Sequence, residues 1–475
     1  MSEMQVRTGP TTGEQAGRPA GRLSRLQVFG YGAGDAGNNV AFQFSTMFLL
    51  LYYTDVVGLS AAAVGTMFLV VRVWDAFADL LAGRLVDRVR TRWGKFRPFI
   101  LFGCVPLLLL NVALFQVPDV SSGLQLLYAY VSYALIGLAY SLVNIPYGAL
   151  ATAMTQLPDQ RTRLSAARGV GAVSVIIALG AFVAPQLGKG DLQATFTTLT
   201  WTFVPIGVVF YLLTFFTARE HVQGGPARVT LRQTIAVLRV NRPLLLLSAS
   251  TLVFLTGYAA SLGIGAYYAR DVLGDPGLYM VLNLASAATL LVIVPLAPGL
   301  VRRFGKKALF NWGAALTVCG GAGVLLAPTD PVALPVLAWV VMSLGMNTLN
   351  TLTLGFEADT VEYGQWRTGI RTEGATYAAF SFTRKIGQAL GGAALGYILA
   401  FGGYAGSASA QSDGAVTSIR VAAGLLPALC ALLAAAAMRF YPLTDSRFQD
   451  IVAELAERRA GRQQDARHPK DAGPA

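Results

Sequence analysis

The chain has 475 residues, of which 54% are apolar and only 13% are charged, and its mean hydropathy is +0.53. A soluble globular protein carries about twice that charged fraction, so this composition indicates an integral membrane protein. The formal net charge of +12 would suggest a nucleic-acid partner if the chain were soluble. Here the basic residues lie between apolar runs, so we expect a lipid bilayer as partner and no nucleic acid.

Twelve apolar runs, each long enough to cross a bilayer, predict an all-α integral membrane fold of about twelve transmembrane helices. The longest polar interruption, 218–242, is predicted to be a central cytoplasmic loop between two six-helix halves, 28–217 and 243–440. Residues 1–27 are predicted to form a disordered cytoplasmic tail and 441–475 a second tail. The runs lie at 28–53, 60–83, 98–117, 124–150, 165–187, 196–217, 243–268, 277–298, 308–327, 332–355, 372–403 and 417–440.

A weak internal repeat supports the division into halves. The basic segment 83–98 follows the second run and resembles 299–310 after the eighth, each with basic residues around a Gly-Lys pair. Two six-helix repeats are the architecture of major-facilitator transporters, whose substrate site lies at mid-membrane between the halves. Coincidence between two basic loops is the alternative.

Positive charge is concentrated in alternate loops. Arg and Lys crowd 84–97 after the second run and 302–307 after the eighth, whereas the odd-numbered loops contain almost none. By the positive-inside rule, both termini are predicted to be cytoplasmic.

The C-terminal tail contains a segment, 445–464, with Phe448, Ile451, Val452 and Leu455 at helical spacing. We predict a short amphipathic helix against the cytoplasmic face. A solubilising tail is the alternative.

The second run contains three charged residues, Arg72, Asp75 and Asp79. Charges inside a membrane span are costly and usually mark ion or substrate paths. Asp75 and Asp79 are four residues apart and share a helix face, where two carboxylates can share a proton or bind a small cation. We predict a cation site for H⁺ or Na⁺ there, with Arg72 in a coupling role; Na⁺ is the only metal expected. An internal ion-pair network is the alternative.

A buried lysine needs an anionic partner. For Lys385 this is either Asp75 or Asp79, or the substrate itself. Arg384 is adjacent in the helix and points about 100° away from Lys385. We interpret it as no more than an interfacial or packing charge. The other charged residues expected in the interior are Asp35, Arg168, Glu373, Arg384 and Lys385.

Two amides inside the runs, Asn39 and Asn144, can donate and accept hydrogen bonds, as recognition of sugar hydroxyls requires. Simple bridging between helices is the alternative. The only histidines, His221 and His468, lie outside the runs, so the histidine sites of many intramembrane enzymes are missing and no enzyme is expected.

Long motifs in both halves resemble the glycoside-pentoside-hexuronide:cation symporters, a branch of the major facilitator superfamily. Within that family the likeness is strongest to the glucuronide carriers. The motifs are YGAGDAGNN (31–39), YYTDVVGL (52–59), VRVWDAFADLLAGRLVD (71–87), TRWGKFRPF (91–99), AYSLVNIPYGALATAMTQ (139–156), EADTVEYGQWRTGIRTEG (357–374), FSFTRKIGQALGG (380–392) and FYPLTD (440–445).

The resemblance implies roles for individual residues. The family's cation-binding acids match Asp75 and Asp79, and its coupling lysine matches Lys385. The two aspartates that bind sugar hydroxyls in the family's galactoside carriers correspond here to Asn39 and Asn144, and a neighbouring tryptophan corresponds to Gly148. The loss of two acids disfavours galactosides and favours an anionic substrate. The substrate-binding residues expected are Asn39, Tyr140, Asn144, Arg168 and Lys385.

The resemblance further implies a monomeric symporter in the bacterial inner membrane that imports a glucuronide or related glycoside by alternating access. H⁺ is the favoured coupling cation, and no cofactor is expected. A neutral pentoside or β-glycoside is the alternative substrate. A lipid-moving membrane protein is the alternative of another class.

Overall fold

A computed structural model describes residues 22–89, 91–155, 157–187, 191–220, 239–369, 373–406, 408 and 410–467. Residues 1–21 of the predicted tail, 221–238 of the predicted central loop, both histidines and the side chain of Glu373 lie outside the described residues. The described helices are α1 (Arg25–Leu51), α2 (Ala61–Arg88), α3 (Arg97–Leu114), α4 (Ser122–Met154), α5 (Pro158–Val183), α6 (Leu192–Thr217), α7 (Arg242–Tyr267), α8 (Leu278–Phe304), α9 (Lys306–Leu326), α10 (Ala333–Thr368), α11 (Glu373–Phe401), α12 (Asp413–Arg439) and α13 (Asp445–Arg467).

Ten of the described helices are long and apolar enough to cross a membrane, and these are α2–α10 and α12. The two remaining helices of the bundle, α1 and α11, contain Asn39 and Lys385, which sequence analysis places at the site, and α1 also contains Asp35. Polar residues are tolerated in a membrane helix where they face the protein interior or a cavity. The expected all-α membrane fold is confirmed, and α1 and α11 each carry part of the predicted site.

The two halves have the same packing pattern. In the first half α1 packs against α5 and α6, α2 against α4, and α3 against α4 and α6. Six helices later, α7 packs against α11 and α12, α8 against α10, and α9 against α10 and α12. Both α1 and α7 also continue into a π-helical turn, Tyr52–Val56 and Tyr268–Val272. The fold therefore consists of two six-helix halves of related architecture.

The halves meet along α1 and α7, α2 and α11, and α5 and α8. We name the side on which α1 begins and α12 ends the terminal face, and the side on which α1 ends the opposite face. Small residues allow α2 and α11 to approach closely, because a Cβ at Gly396 would lie 2.4 Å from the Ala61 carbonyl oxygen. The hydroxyls of Thr66 and Tyr397 are 2.9 Å apart at this contact.

Two of the predicted helix boundaries are shifted by the local sequence. Helix α1 begins at Arg25, inside the predicted tail, because Ser24 and Gln27 form a reciprocal capping box. Helix α10 continues to Thr368, beyond the predicted end of its run at 355, because the polar motif that follows is also helical.

The amphipathic helix predicted near the C-terminus is confirmed as α13, which packs against α10. Ile451 and Leu455 are buried against the bundle, whereas Val452 is exposed, contrary to its predicted place on the apolar face. The Trp366 indole nitrogen also donates to a Glu454 carboxylate oxygen at 2.6 Å. The segment is therefore docked and is more than a solubilising tail.

Candidate functional site

An ion pair between Asp79 of α2 and Lys385 of α11 links the two halves. The other carboxylate oxygen of Asp79 accepts a hydrogen bond of 2.6 Å from the Ser141 hydroxyl of α4. Both charged side chains are partly accessible, 29% for Asp79 and 25% for Lys385. Asp79 thus contacts Ser141 in its own half and the Lys385 ammonium group of the other half.

Asp75 lies one turn away from Asp79 on α2 and pairs with Arg72 at 3.0 Å. Its second oxygen, Oδ1, is buried and accepts no hydrogen bond within the described ranges. This oxygen points at Gly137 of α4, where a Cβ would lie only 2.2 Å away. The glycine therefore makes room for a carboxylate oxygen that retains its capacity to bind a proton or a cation.

A second cluster surrounds Arg168 of α5. Its Nε atom pairs with Asp35 of α1 at 2.9 Å, and its guanidinium lies over the Tyr147 ring, 5.2 Å from the centroid. Tyr147 stacks on Tyr31 with 4.8 Å between centroids, and its hydroxyl donates to the Tyr31 carbonyl at 2.6 Å. These contacts hold the guanidinium in one orientation and balance its charge with a carboxylate from α1.

The two predicted amides differ in their freedom to bind a ligand. The Asn39 side chain donates to Asp35, at 2.9 Å to the carboxylate and 2.8 Å to the carbonyl, so its own oxygen remains an acceptor. Asn144 is half-buried and makes no hydrogen bond in the part of the chain that the structure describes. It lies one turn beyond Ser141 on α4, on the same helix face. Asn144 is therefore the freer of the two amides.

The predicted site residues thus form two neighbouring groups. Asp75, Asp79 and Lys385 belong to the first, and Asn39 and Arg168 belong to the second. The half-buried Tyr140 ring stacks on Phe42 with 5.4 Å between centroids. The structure adds residues that sequence analysis did not assign to the site, and these are Asp35, Ser141, Tyr31, Tyr147 and Gly137.

The predicted positive character of Arg168 and Lys385 is offset by acidic partners. Asp35 pairs with the first, and Asp79 pairs with the second. Sequence analysis identifies Asp35 only as an interior charge. Its contact with Arg168 could not be predicted, because the two residues are 133 positions apart and share no helix. Ser141 lies one turn before Asn144 in the same motif, and that spacing is the signal that would have included it.

A polar network joins the halves at the opposite face. Arg270 of the second half pairs with Asp55 of the first at 2.6 Å and with its own neighbour Asp271 at 2.8 Å. The Tyr404 hydroxyl lies 2.9 Å from Asp55 Oδ2 and accepts a bond from Arg270. The Asp55 side chain is only 2% exposed. We call Asp55, Arg270, Asp271 and Tyr404 the opposite-face network.

The links between the halves lie at the site and on one side of it. Among the described residues, hydrogen bonds and ion pairs between the halves run from the opposite-face network to the pair of Asp79 and Lys385, and none lies nearer the terminal face. Tyr377, which lies two turns nearer that face than Lys385 on α11, is 58% exposed. The described halves are therefore held together at the site and at the opposite face.

The chain is similar over most of its length to sugar transporters. The family described as MFS/sugar transport protein matches residues 30–445. The chain is 43% identical over 448 residues to the glucuronide carrier protein homolog of Escherichia coli (strain K12), which covers 93% of this chain and 98% of that protein. It is 33% identical to the putative sulfoquinovose importer of the same strain, over 92% of this chain and 95% of the relative.

Solved structures support the same fold at low sequence identity. The nucleoside transporter NupG matches with a TM-score of 0.64 at 11% identity, over 88% of this chain and 100% of that one. The D-xylose-proton symporter matches with a TM-score of 0.58 at 12% identity, over 86% and 95% of the two chains. This chain therefore belongs to the MFS/sugar transport family and is a multi-pass membrane transporter, not an enzyme.

Proposed function

We propose that this transporter imports a glucuronide or a related glycoside together with a cation, with H⁺ favoured, by alternating access. The ion pair between Asp79 and Lys385 carries the proposal, because it joins the halves at the site where the cation is expected. A proton that neutralises Asp79 removes its attraction to Lys385. Binding at the site would then change how the halves are held together, which is what coupling requires.

Asp75 supports a cation site beside this pair. Its buried Oδ1 faces Gly137 and has no hydrogen-bond donor among the described residues. A proton can bind a single carboxylate oxygen, whereas a metal ion needs several ligands arranged around it. The open oxygen of Asp75 therefore suits H⁺, which needs no further ligand.

An acidic sugar is the proposed substrate class. One relative is named as a glucuronide carrier protein homolog and another as a putative sulfoquinovose importer. Glucuronides carry a carboxylate and sulfoquinovose a sulfonate, so both names refer to anionic sugars. Asn39 and Asn144 are placed to bind hydroxyls without adding negative charge.

The terminal face is proposed to be cytoplasmic, with the protein in the bacterial inner membrane. Basic residues after α2 and α8 lie on this side, including Arg88, Arg302 and Arg303, as expected from the positive-inside rule. In this orientation the links between the halves would lie at the site and on its outer side, so we expect the described conformation to be open to the cytoplasm.

Uptake of a labelled glucuronide into proteoliposomes tests the function directly. One H⁺ carried with one uronate anion moves no net charge, so we expect a pH gradient to drive accumulation of about tenfold per pH unit. Valinomycin-clamped potential should have little effect. By contrast, one H⁺ with a neutral sugar would respond to voltage, by about fiftyfold per 100 mV.

Three outcomes would contradict parts of this proposal. Accumulation driven only by a Na⁺ gradient would overturn H⁺ coupling. Preference for a xyloside over the glucuronide in a competition assay would favour a neutral pentoside. No uptake of either glycoside would refute glycoside transport and favour the lipid-moving alternative.

Gly137 offers a test of the cation site that adds a single methyl group. We expect Gly137→Ala to weaken pH-driven accumulation roughly tenfold or more, because an added Cβ would lie 2.2 Å from Asp75 Oδ1 and overpacking costs about 1–3 kcal/mol. Gly123→Ala on the same helix is the matched control, since its Cβ would meet nothing within 4 Å. Uptake under a pH gradient is the measurement. Equal accumulation by the two variants would remove Asp75 from the mechanism.

A further inference from the structure

Four basic side chains surround the site, and three of them have a carboxylate partner. The exception is Arg384 of α11, which has no ion pair or hydrogen bond in the described part of the chain. Its Nη1 atom is buried and has no hydrogen-bond partner. The paired residues are Arg72 with Asp75, Arg168 with Asp35, and Lys385 with Asp79.

An unpartnered buried guanidinium is costly, because desolvation of a charge has to be offset by a counter-charge or by hydrogen bonds. Arginine presents several donors in a rigid planar fork that matches a carboxylate in a bidentate way. A side chain with this chemistry, left without a carboxylate partner beside the candidate site, is suited to an acidic ligand.

Arg384 lies on a face of α11 that is close to the first half. It lies two turns from Tyr377 and one turn from Ser381, so the three share a helix face. Tyr377 is 58% exposed, and it is close enough to interact electrostatically with Arg384 of its own half and with Tyr140 of the first half. The face of α11 that carries Arg384 therefore borders the space between the halves.

Glu357 of α10 is a carboxylate that acts electrostatically on Arg384, but it does not form an ion pair with it. It is itself buried, with 8% of its surface exposed. Tyr258 of α7 is a further polar neighbour. Glu357 thus partly balances the charge of Arg384 without occupying its donors, which leaves them available to a ligand that must also be released.

We propose that Arg384 binds the acidic group of an anionic glycoside, such as the carboxylate of a hexuronide, and thereby selects acidic over neutral sugars. This assignment rests on the proposed glycoside transport and names the residue that sets its substrate class. It differs from the sequence-based interpretation of Arg384 as a packing charge, and it transfers recognition of the acid away from Arg168 and Lys385, whose charges are already paired.

Two probes with the same aglycone isolate the acidic group: p-nitrophenyl β-D-glucuronide and p-nitrophenyl β-D-glucoside. Equilibrium binding of each is measured by calorimetry on the purified full-length protein. We expect Arg384→Gln to weaken glucuronide binding by roughly 10- to 150-fold, the range for a hydrogen bond to a charged group, and glucoside binding by less than about threefold. Arg384→Lys keeps the charge but loses the fork, so it should give a smaller loss for the glucuronide alone.

Glu357→Gln is the matched control for a structural role. If Arg384 only balances Glu357, both variants should weaken the two probes alike, and that result would overturn the inference. Unchanged glucuronide binding in Arg384→Gln would also overturn it. If the wild-type protein binds the glucuronide in the same experiment, the transport proposal is unaffected. Wild-type protein that binds neither probe would refute both. If Arg384→Gln does not fold, as judged by its thermal unfolding, the comparison of the two probes with Arg384→Lys decides the question.

Discussion

Replacement of Asp79 by asparagine should abolish concentrative uptake of the glucuronide while exchange across the membrane continues. Asparagine can keep the hydrogen bond from Ser141, which is 2.6 Å long in the native protein. However, it neither takes up a proton nor balances the charge of Lys385. At a gradient of two pH units we expect accumulation to fall from about 100-fold to no accumulation, since each unit corresponds to about tenfold.

The measurement compares two assays on the same proteoliposomes. Uptake under a pH gradient reports coupling, and counterflow with glucuronide on both sides reports movement of the loaded carrier alone. Asp75→Asn should give the same pattern if the two acids act together. Unchanged accumulation in both variants would contradict a cation site at these residues.

Loss of stability has to be separated from loss of coupling. Removing one partner of a buried ion pair costs about 3–5 kcal/mol, whereas removing both with residues of similar volume is often neutral. The double variant Asp79→Asn/Lys385→Met should therefore recover the thermal stability that Asp79→Asn loses. It should still fail to accumulate the glucuronide. Recovery of accumulation in the double variant would show that the ion pair is structural.

The general architecture follows from the sequence because membrane helices obey a strong rule. Because the bilayer core contains no water, long apolar runs form helices, and the polar loops between these runs show how many helices there are. Asp75, Asp79 and Lys385 could be identified for a related reason, since charges inside apolar runs are rare and costly. A hydroxyl residue is common in an apolar run, so Ser141 is indicated only by its spacing from Asn144 within one motif.

Contacts between distant residues are what the sequence could not predict. Asp35 and Arg168 are each visible as interior charges, but their pairing depends on the packing of α1 against α5. The same is true at the opposite face, where Asp55 belongs to a recognised motif and Arg270 is the single basic residue of its loop. Only the close approach of α1 and α7 brings these two side chains together.

The second large effect is expected at the opposite-face network. We expect Asp55→Asn to shift the protein toward conformations open at that face, because it removes the acid that Arg270 contacts across the halves at 2.6 Å. Arg270 keeps its bonds to Asp271, so the loss is that of a hydrogen bond to a charged group, about 1.5–3 kcal/mol, and the equilibrium between conformations should shift by about tenfold or more toward the open side.

A cysteine at position 266 can report this opening. Ala266 lies one turn before Arg270 and is 5% exposed, so Ala266→Cys should react slowly with a membrane-impermeant maleimide when the face is closed. Cys319 is the exposed native cysteine and is replaced by alanine in all samples. With Asp55→Asn added, we expect labelling from the opposite face to become at least about tenfold faster, given the shift expected above.

Asp271→Asn is the matched control, since Asp271 contacts the same arginine at 2.8 Å but belongs to the same half. Its removal takes an acid from Arg270 without removing a link between the halves, so labelling should change little. Equal acceleration by the two variants would mean that the arginine is merely destabilised, and no acceleration in Asp55→Asn would show that other contacts close this face.

The opposite-face network can be only as strong as the free energy that ligand binding supplies to break it. To alternate, the transporter must break the contact of Asp55 with Arg270 in each cycle, and the free energy has to come from differential binding of cation and substrate to the two conformations. The network links the halves at the opposite face, whereas Asp79 and Lys385 link them at the site. Asp55→Asn should therefore accelerate labelling at position 266 even in the Asp79→Asn background. If labelling then required an intact Asp79, the two links would form one switch instead of two independent ones.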